Sequence, residues 1–406
     1  MIDLFSLGNL WISDFIRDGD EPRGCKHELK LMMEEDTRAV RLETVAPLNT
    51  MFGEYWYKSG LNESMRRELK NIVESITPLM KFKENDVWCD CACNDGTLLS
   101  FVDEKFIRVG VDPIEDKYKE EAERHADLII QDYFSADVFK KSKFGKQKIS
   151  VFTSIAVFYD INEPDKFCKD VYGVLDDEGL WVMQLSHSGL MIHQLAFDNI
   201  LSEHIYYYCL NSLKIILERN GFSVVDCQLN ETNGGSFRVY IRKKIANEKL
   251  FATQPYRDVC KYRIDSLLQY ESSLGLAYPS TWMKFYDDVV ALRNRVRKFI
   301  SEEKQNGKTI WAYSASTKGN TFLQYCKLDH HLIDGIAERN IDKWGLKTVG
   351  TNIKIYSEDE FRKAKPDYVL ILAWHFISNF LEREKDLLDS GTKFIVALPK
   401  FEIIGL

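Results

Sequence analysis

The sequence lacks the features that mark membrane, secreted and nucleic-acid-binding proteins. No apolar run among its 406 residues is long enough to span a bilayer, and no basic-then-apolar leader opens it, so secretion is not expected. The formal net charge is −8, which disfavours a nucleic-acid backbone as partner. We expect a cytoplasmic globular protein, monomeric or homodimeric, with a small-molecule substrate and no nucleic-acid or membrane partner.

Paired C-x-x-C motifs are also missing. The nine cysteines form an odd number with no regular spacing, so a reducing cytoplasm is the simplest setting. Cys89, Cys91 and Cys93 alternate, and on a strand they would share one face. Because a metal site needs ligands that converge from several elements, the pattern predicts buried strand residues and no metal.

The chain length suggests two or three domains. Residues 1–60 carry several turn signals and are predicted to be irregular. Short β-like runs then alternate with helical segments, which predicts a parallel α/β sheet ending in an antiparallel pair at residues 222–226 and 236–242. Residues 245–305 are charged and helical in pattern, and residues 308–400 restart the alternation as a second Rossmann-like unit.

The first predicted strand, at residues 86–92, leads into a turn that could hold a cofactor. A cofactor at a parallel sheet lies beyond the carboxyl ends of the strands, where small residues let the backbone approach it. Residues 91–96 (CACNDG) meet that need. Asp112, at the end of the second strand, could accept hydrogen bonds from a ribose, and residues 131–134 could flank an adenine. Alternatively, the aspartates only form turns; nicotinamide binding would require a G-x-G-x-x-G, which is missing.

Several sequence blocks, in order, resemble the sugar-nucleotide C-methyltransferase family, whose members make branched deoxysugars. The blocks are residues 52–60 (FGEYWYKSG), 93–99 (CNDGTLL), 197–204 (FDNILSEH), 233–238 (NGGSFR), 315–320 (ASTKGN), 338–340 (ERN) with 350–352 (GTN), and 373–375 (AWH). The resemblance implies a small N-terminal module at residues 1–60, a class I S-adenosylmethionine-dependent methyltransferase domain at 61–245, and a Rossmann-like substrate-binding domain at 246–406.

The resemblance also implies residues that bind S-adenosylmethionine. These are Asp90, Ala92, Cys93, Asn94, Asp95, Asp112, Pro113, Asp132, Tyr133 and Phe134. Ser154 and Ile155 would lie near the methionine part, and Tyr57 and Ser59 would close the site from the N-terminal side.

The family's catalytic stretch reads Tyr-His-Glu-His, whereas this chain has Leu201, Ser202, Glu203 and His204. In C-methylation a base removes the proton next to a ketone and the enolate attacks the methyl group. Imidazole titrates near neutral pH, so His204 is predicted to be the base, and Glu203 to orient it or to bind the sugar. The lost Tyr leaves methylation of oxygen or nitrogen, and a catalytically weak scaffold, as alternatives.

A nucleotide sugar is predicted between the central and C-terminal domains. Residues 314–320 join a strand to a helix, and amides, hydroxyls and a Lys at a helix start suit a diphosphate; the alternative for Lys318 is an exposed helix cation. The predicted substrate residues are Asn199, Asn233, Ser236, Arg238, Ser316, Thr317, Lys318, Asn320, Arg339, Asn340, Trp374 and His375.

The family's N-terminal module binds zinc through two C-x-x-C pairs. The second pair aligns here with Glu34 and Thr37, and only Cys25 and His27 remain nearby. Since a closed structural zinc site needs four soft ligands, the sequence predicts a reduced, metal-free lid.

Overall fold

The computed structural model describes residues 1–22, 24–47, 58–114 and 116–405. Its strands are β1 (Ile2–Trp11), β2 (Phe15–Ile16), β3 (Lys26–Met33), β4 (Val40–Leu42), β5 (Val87–Cys91), β6 (Ile107–Val111), β7 (Leu128–Ile130), β8 (Ile149–Ile155), β9 (Leu175–Ser186), β10 (Tyr206–Tyr207), β11 (Phe222–Asn230), β12 (Ser236–Lys243), β13 (Ile310–Tyr313), β14 (Gly335–Glu338), β15 (Lys347–Thr348), β16 (Ile355–Ser357), β17 (Tyr368–Ile371), β18 (Lys393–Val396) and β19 (Glu402–Ile404).

The helices of the same regions are α1 (Glu63–Ile76), α2 (Asp116–Ala122), α3 (Ala136–Lys141), α4 (Pro164–Val174), α5 (Ser188–His193), α6 (Leu210–Arg219), α7 (Gln254–Leu274), α8 (Pro279–Gln305), α9 (Thr317–Tyr325), α10 (Glu358–Ala364), α11 (Ile377–Arg383) and α12 (Lys385–Asp389). None of the helices that the structure describes is long and apolar enough to cross a membrane.

The central sheet has the order β11-β12-β9-β8-β5-β6-β7, and only β12 runs against the others. All five side chains of β5 are buried, as expected for a strand covered on both faces by helices. The chain passes from β5 outward to β7 and then returns to β8 on the other side of β5. This reversal is a topological switch point, where α/β sheets bind their ligands.

The C-terminal sheet has the order β16-β14-β13-β17-β18-β19. Its first five strands are parallel, and β19 is antiparallel to β18. Here the switch point lies between β13 and β17. The predicted α/β class with two Rossmann-like sheets is therefore confirmed, whereas the domain limits at residues 60 and 245 stay predictions.

The expectation of an irregular N-terminal segment was wrong. Strands β1, β3, β4 and β10 form an antiparallel sheet, and β2 pairs with β15 of the C-terminal part. Leu29, Leu31 and Met33 on β3 point to the buried face, but the buried, apolar Met32 interrupts the alternation and the nearby turn signals hide this period-two pattern. Because β10 comes from the central part of the chain, the four-stranded sheet joins the N-terminal segment to that part, and the separate β2–β15 pair joins it to the C-terminal part.

The long helix α7 is fastened to β11, the edge strand of the central sheet, by a buried ion pair. Asp226 is fully buried, and Arg263 donates to its two oxygens at 2.8 and 2.6 Å. The carboxylate also accepts the backbone N–H of Cys227 at 2.8 Å. The pair therefore ties the connecting helix to the sheet with well-directed, charge-assisted bonds.

We expect Arg263→Ala to lower the free energy of unfolding by about 3 kcal/mol, because it leaves the Asp226 carboxylate buried without its cation. Urea unfolding followed by circular dichroism measures the change. Lys284→Ala, which removes an exposed pair with Asp288, is the control and is expected to cost less than about 0.5 kcal/mol. Equal losses for both variants would contradict the importance assigned to the buried pair.

Candidate active site between two sheets

A cavity of about 1080 Å³ lies between the carboxyl edges of the two parallel sheets. Its wall includes residues that follow β5, β6 and β8 on one side and β13, β14 and β17 on the other, and Ser13 and Phe15 of the N-terminal sheet complete it. The predicted site residues that line it are Ser59, Asp90, Ala92, Cys93, Asn94, Asp112, Pro113, Tyr133, Phe134, Ile155, Glu203, His204, Asn233, Ser236, Ser316, Thr317, Lys318, Arg339, Asn340 and His375.

Seven other predicted residues do not line this cavity: Asp95, Asp132, Ser154, Asn199, Arg238, Asn320 and Trp374. Several are bonded elsewhere. Arg238 pairs with Glu68 at 2.7 Å inside the central part, and Ser154 accepts the indole N–H of Trp181 at 2.9 Å. Asn320 donates to Ser13 Oγ at 2.9 Å. Arg238 and Asn320 thus brace the wall in this structure rather than face the cavity, and Tyr57 lies outside the described residues.

The turn after β5 has the tight, left-handed backbone that a close ligand requires. Ala92, Asn94 and Gly96 have φ of 59°, 48° and 75°. A Cβ on Gly96 would lie 2.8 Å from the Cα of Ala122, and a Cβ on Gly110 of β6 would lie 2.6 Å from Cys93 Sγ. Small residues are therefore required here by packing as well as by conformation. The turn leads into a single 3₁₀ turn, Leu99–Phe101.

Two buried carboxyl groups face this turn. Asp112 accepts the backbone N–H of Asn94 at 2.8 Å, and Asp90 accepts the Thr153 hydroxyl at 2.6 Å. Burial raises the pKa of Asp112 to about 6 and that of Asp90 to about 7. Removal from water is the main cause of both raised pKa values. A cation or ribose hydroxyls beside these groups would therefore stabilise the carboxylates in place of the lost water.

A second pair of carboxyl groups lines the cavity: Asp160, in the segment after β8, and Glu203, in the segment after α5. Burial raises the pKa of Glu203 to about 7. The pKa of Asp160 is raised well above its usual range by burial and by the nearby Glu203, and its Oδ1 is buried without a hydrogen-bond partner. A carboxylate next to a neutral carboxylic acid can accept a proton near neutral pH.

His204 is held as a neutral ring. Its Nδ1 lies 3.0 Å from the carbonyl oxygen of Asn199, so Nδ1 carries the hydrogen and Nε2 is the acceptor. The ring packs on Tyr159, with 4.3 Å between centroids. Burial and the adjacent Lys318 ammonium lower the pKa of His204 to about 3. The imidazole is therefore suited to accept a hydrogen bond and poorly suited to take up a proton.

The carboxyl ends of the C-terminal strands supply the opposite wall. Ser314 directly follows β13 with φ 80°, and Ser316 caps α9 by accepting the N–H of Gly319 at 3.0 Å. Glu338 accepts the N–H groups of Ala315, Arg339 and Asn340 at 2.8 to 2.9 Å. This carboxylate holds the loops after β13 and β14 together, so that hydroxyl and amide groups of both border one space.

The sequence analysis missed Asp160, Lys343 and Arg383, which also line the cavity. Lys343 donates to the carbonyl of Ala315 at 2.8 Å and lies over the ring of Phe15 at 4.5 Å. Arg383 donates to the Tyr313 hydroxyl at 3.0 Å from the end of α11. Asp160 could have been predicted from the sequence, because it follows the end of strand β8. The two cations reach the site only through helix packing, which leaves no local signal.

Residues 231–399 match the model of the C-methyltransferase C-terminal domain. The C-methyltransferase NovU of Streptomyces niveus is 26% identical over 365 residues, which cover 90% of this chain and 84% of that protein. The predicted resemblance to C-methyltransferases is thereby confirmed.

Solved structures with partial likeness include two methyltransferases. An S-adenosylmethionine-dependent methyltransferase from Clostridium acetobutylicum is 13% identical, covers 45% of this chain and 92% of its own, and has a TM-score of 0.34. Magnesium protoporphyrin IX methyltransferase from Synechocystis is 13% identical, covers 45% and 88%, and has a TM-score of 0.33. At scores this low the likeness carries no argument about fold or function.

Among the described residues, no group of three or more His, Cys, Asp or Glu side chains is arranged to hold a metal ion. Cys25 is exposed, and His27 instead bonds Thr44 Oγ1 at 2.9 Å and Ser202 Oγ at 3.3 Å. His27 thus bonds protein hydroxyl groups, and the expectation of a metal-free module stays a prediction.

We expect Gly96→Ala to weaken binding of S-adenosylhomocysteine at least tenfold, because the methyl group would push the cofactor turn away from Ala122. Isothermal titration calorimetry measures the affinity. Gly307→Ala is the matched control, since Gly307 has a similar φ of 79° but open space around it and lies outside the cavity wall. Unchanged affinity in the Gly96 variant would show that the turn does not contact the cofactor.

Proposed function

We propose that this methyltransferase transfers a methyl group to carbon next to the keto group of a nucleotide-activated sugar. The observation that supports the proposal best is the shared cavity, in which the acid–base residues Glu203 and His204 lie between a cofactor-type turn and a second sheet edge. Its volume of about 1080 Å³ is at the upper end for small-molecule sites, and so suits two ligands. Similarity to a C-methyltransferase supports carbon as the acceptor.

The residues of the central part fit S-adenosylmethionine. Asp112 faces the position for ribose hydroxyls, the turn at residues 92–96 admits close backbone contact, and Asp90 provides a buried carboxyl for a positively charged group. When bound, the cofactor supplies an electrophilic methyl group on a sulfonium. Tyr133 and Phe134 provide an aromatic and apolar border for an adenine at the end of β7.

The C-terminal wall suits the nucleotide part of the substrate. Ser316 and Thr317 lie at the start of α9, where free backbone N–H groups and the helix dipole favour a diphosphate. Phe376, Phe380 and Arg383 follow β17 along the same wall and could border a nucleobase through stacking and hydrogen bonding. Two further predicted substrate residues, Asn233 and Ser236, lie opposite them on the hairpin of β11 and β12.

For the proton transfer we propose roles that differ from the sequence expectation. A general base works best with a pKa near the working pH. Burial brings the pKa of Glu203 to about 7, whereas that of His204 lies at about 3. Glu203 therefore takes the proton, and the Nε2 of His204 accepts a hydrogen bond from a sugar hydroxyl.

Products formed in deuterium oxide test the proposal. The enzyme is incubated with S-adenosylmethionine and a panel of nucleoside diphosphate keto-deoxysugars, and the products are analysed by mass spectrometry and NMR. We expect a new carbon–carbon bond beside the carbonyl, and deuterium exchange at that carbon when the cofactor is omitted. A product methylated on oxygen or nitrogen, without exchange, would refute C-methylation.

The pH dependence of kcat/KM separates the two candidate bases. A raised carboxyl pKa means that the carboxylate exists only above it, so activity should rise with pH through about 7 and then level off. Glu203→Gln should lower kcat/KM at least 100-fold, whereas His204→Gln should keep the rise near pH 7. If the rise persists in the Glu203 variant and disappears in the His204 variant, His204 is the base.

A further inference from the structure

Lys318 occupies an unusual position for a lysine in the first turn of a helix. It lies at the start of α9, yet its ammonium is turned inward and donates to the carbonyl of Asn233, in the central part of the chain, at 3.0 Å. Its charge influences Asp198, His204 and His375. The side chain therefore crosses from the C-terminal wall to the catalytic segment, and the alternative of an exposed helix cation was wrong.

Asp198 lies behind the cavity wall as a counter-charge. It is 1% exposed, and its Oδ2 accepts the indole N–H of Trp374 at 3.1 Å. Burial lowers the pKa of Lys318, and the carboxylate of Asp198 opposes that change. The acidic partner therefore favours the charged form of an amine whose pKa is lowered by burial.

The ammonium has unused hydrogen-bonding capacity on the cavity side. It carries three N–H groups, and within the described parts of the chain one is bonded, to Asn233. Other polar atoms nearby are also unsatisfied: Asp198 Oδ1 and His375 Nδ1 are buried without partners. Asp198 lies outside the cavity wall, whereas Lys318 and His375 line it. Because buried polar groups are normally paired, these two side chains fit a polar ligand atom in the cavity.

We infer that Lys318 is a catalytic residue that stabilises the oxygen of the enolate, and that Asp198 positions it. The inference rests on the proposed function. Glu203 removes the proton from the carbon beside the carbonyl; the C–H electron pair forms the carbon–carbon double bond, and the carbonyl π pair moves to oxygen. The ammonium faces that developing negative charge in a buried site, where one fixed donor contributes about 100- to 1000-fold to the rate.

The sequence instead suggested that Lys318 binds the diphosphate. The contacts favour the enolate role, because the ammonium lies with His204, His375 and Asn233, close to the acid–base residues. Ser316 and Thr317, with the amides of the first turn, remain for the phosphates. The two roles differ in what is lost on substitution: a phosphate ligand contributes to binding, and an enolate ligand contributes to the rate of proton transfer.

The test compares wild type with Lys318→Met, which keeps the length of the side chain and removes its charge, and with Asp198→Asn. Lys284→Met on the exposed face of α8 is the matched control. Deuterium exchange into saturating keto-sugar nucleotide is followed by NMR without S-adenosylmethionine. Binding of UDP, GDP and dTDP is measured by calorimetry, and circular dichroism checks folding.

We expect Lys318→Met to slow exchange at least 100-fold while nucleoside diphosphate affinity stays within about twofold, Asp198→Asn to slow it about tenfold, and Lys318→Arg to recover part of the rate. Exchange within about threefold of wild type, or affinity for the diphosphates lost at least tenfold, would overturn the enolate role. If wild type shows no exchange with any keto sugar of the panel, the proposed function is refuted. If wild type shows exchange but the variants give results other than those expected, only the role of Lys318 is refuted.

Discussion

Two short antiparallel pairings hold the site together. Strand β4 of the N-terminal sheet pairs with β10 of the central part, and β2 pairs with β15 of the C-terminal part. In addition, the backbone N–H and carbonyl of Trp11 bond the side chain of Gln324 at 2.8 and 3.1 Å. In each parallel sheet the carboxyl ends of the strands lie along one edge. A cavity with two walls forms only where a second such edge is held opposite the first.

The N-terminal part therefore holds the two other parts of the chain together and also lines the cavity. It has an apolar interior, shown by Leu31, Met33 and Leu42, all fully buried, and Phe5 stacks on Tyr286 of α8 at 4.7 Å. A zinc site organises a small module by ligand bonds, since such modules bury little apolar surface. Here the module shares its core with the C-terminal part of the chain, so its folding is supported by neighbours.

The chemistry of the cavity follows from ionisable groups placed where water is scarce. Carboxyl groups at Asp90, Asp112 and Glu203 have raised pKa values, and burial lowers the pKa values of His204 and Lys318. Each group alone is destabilised by burial, and the groups of opposite sign partly compensate one another. Ionisable groups with pKa values shifted by burial and by neighbouring charges are typical of sites that bind and act on a substrate.

Much of the architecture could be read from the sequence, because local patterns carry it. Apolar runs separated by helical segments predicted the strands of both parallel sheets, and small residues after β5 predicted the cofactor turn. Strands β1 and β3 escaped prediction, since an antiparallel strand with polar residues on one face and turns around it gives a weak signal. Which predicted residues face the cavity was also undetermined, as the bonds of Arg238 and Asn320 show.

The sequence by itself determined the α/β class, the two Rossmann-like units, the resemblance to C-methyltransferases and the strand ends at which polar residues collect. Only the tertiary structure decided which of those residues face each other. Local patterns set backbone conformation and burial, whereas the pKa of Glu203, the tautomer of His204 and the inward direction of Lys318 depend on groups far apart in the chain. Desolvation and the nearness of other charges arise only when the two sheet edges pack opposite each other. No single segment of the sequence determines them.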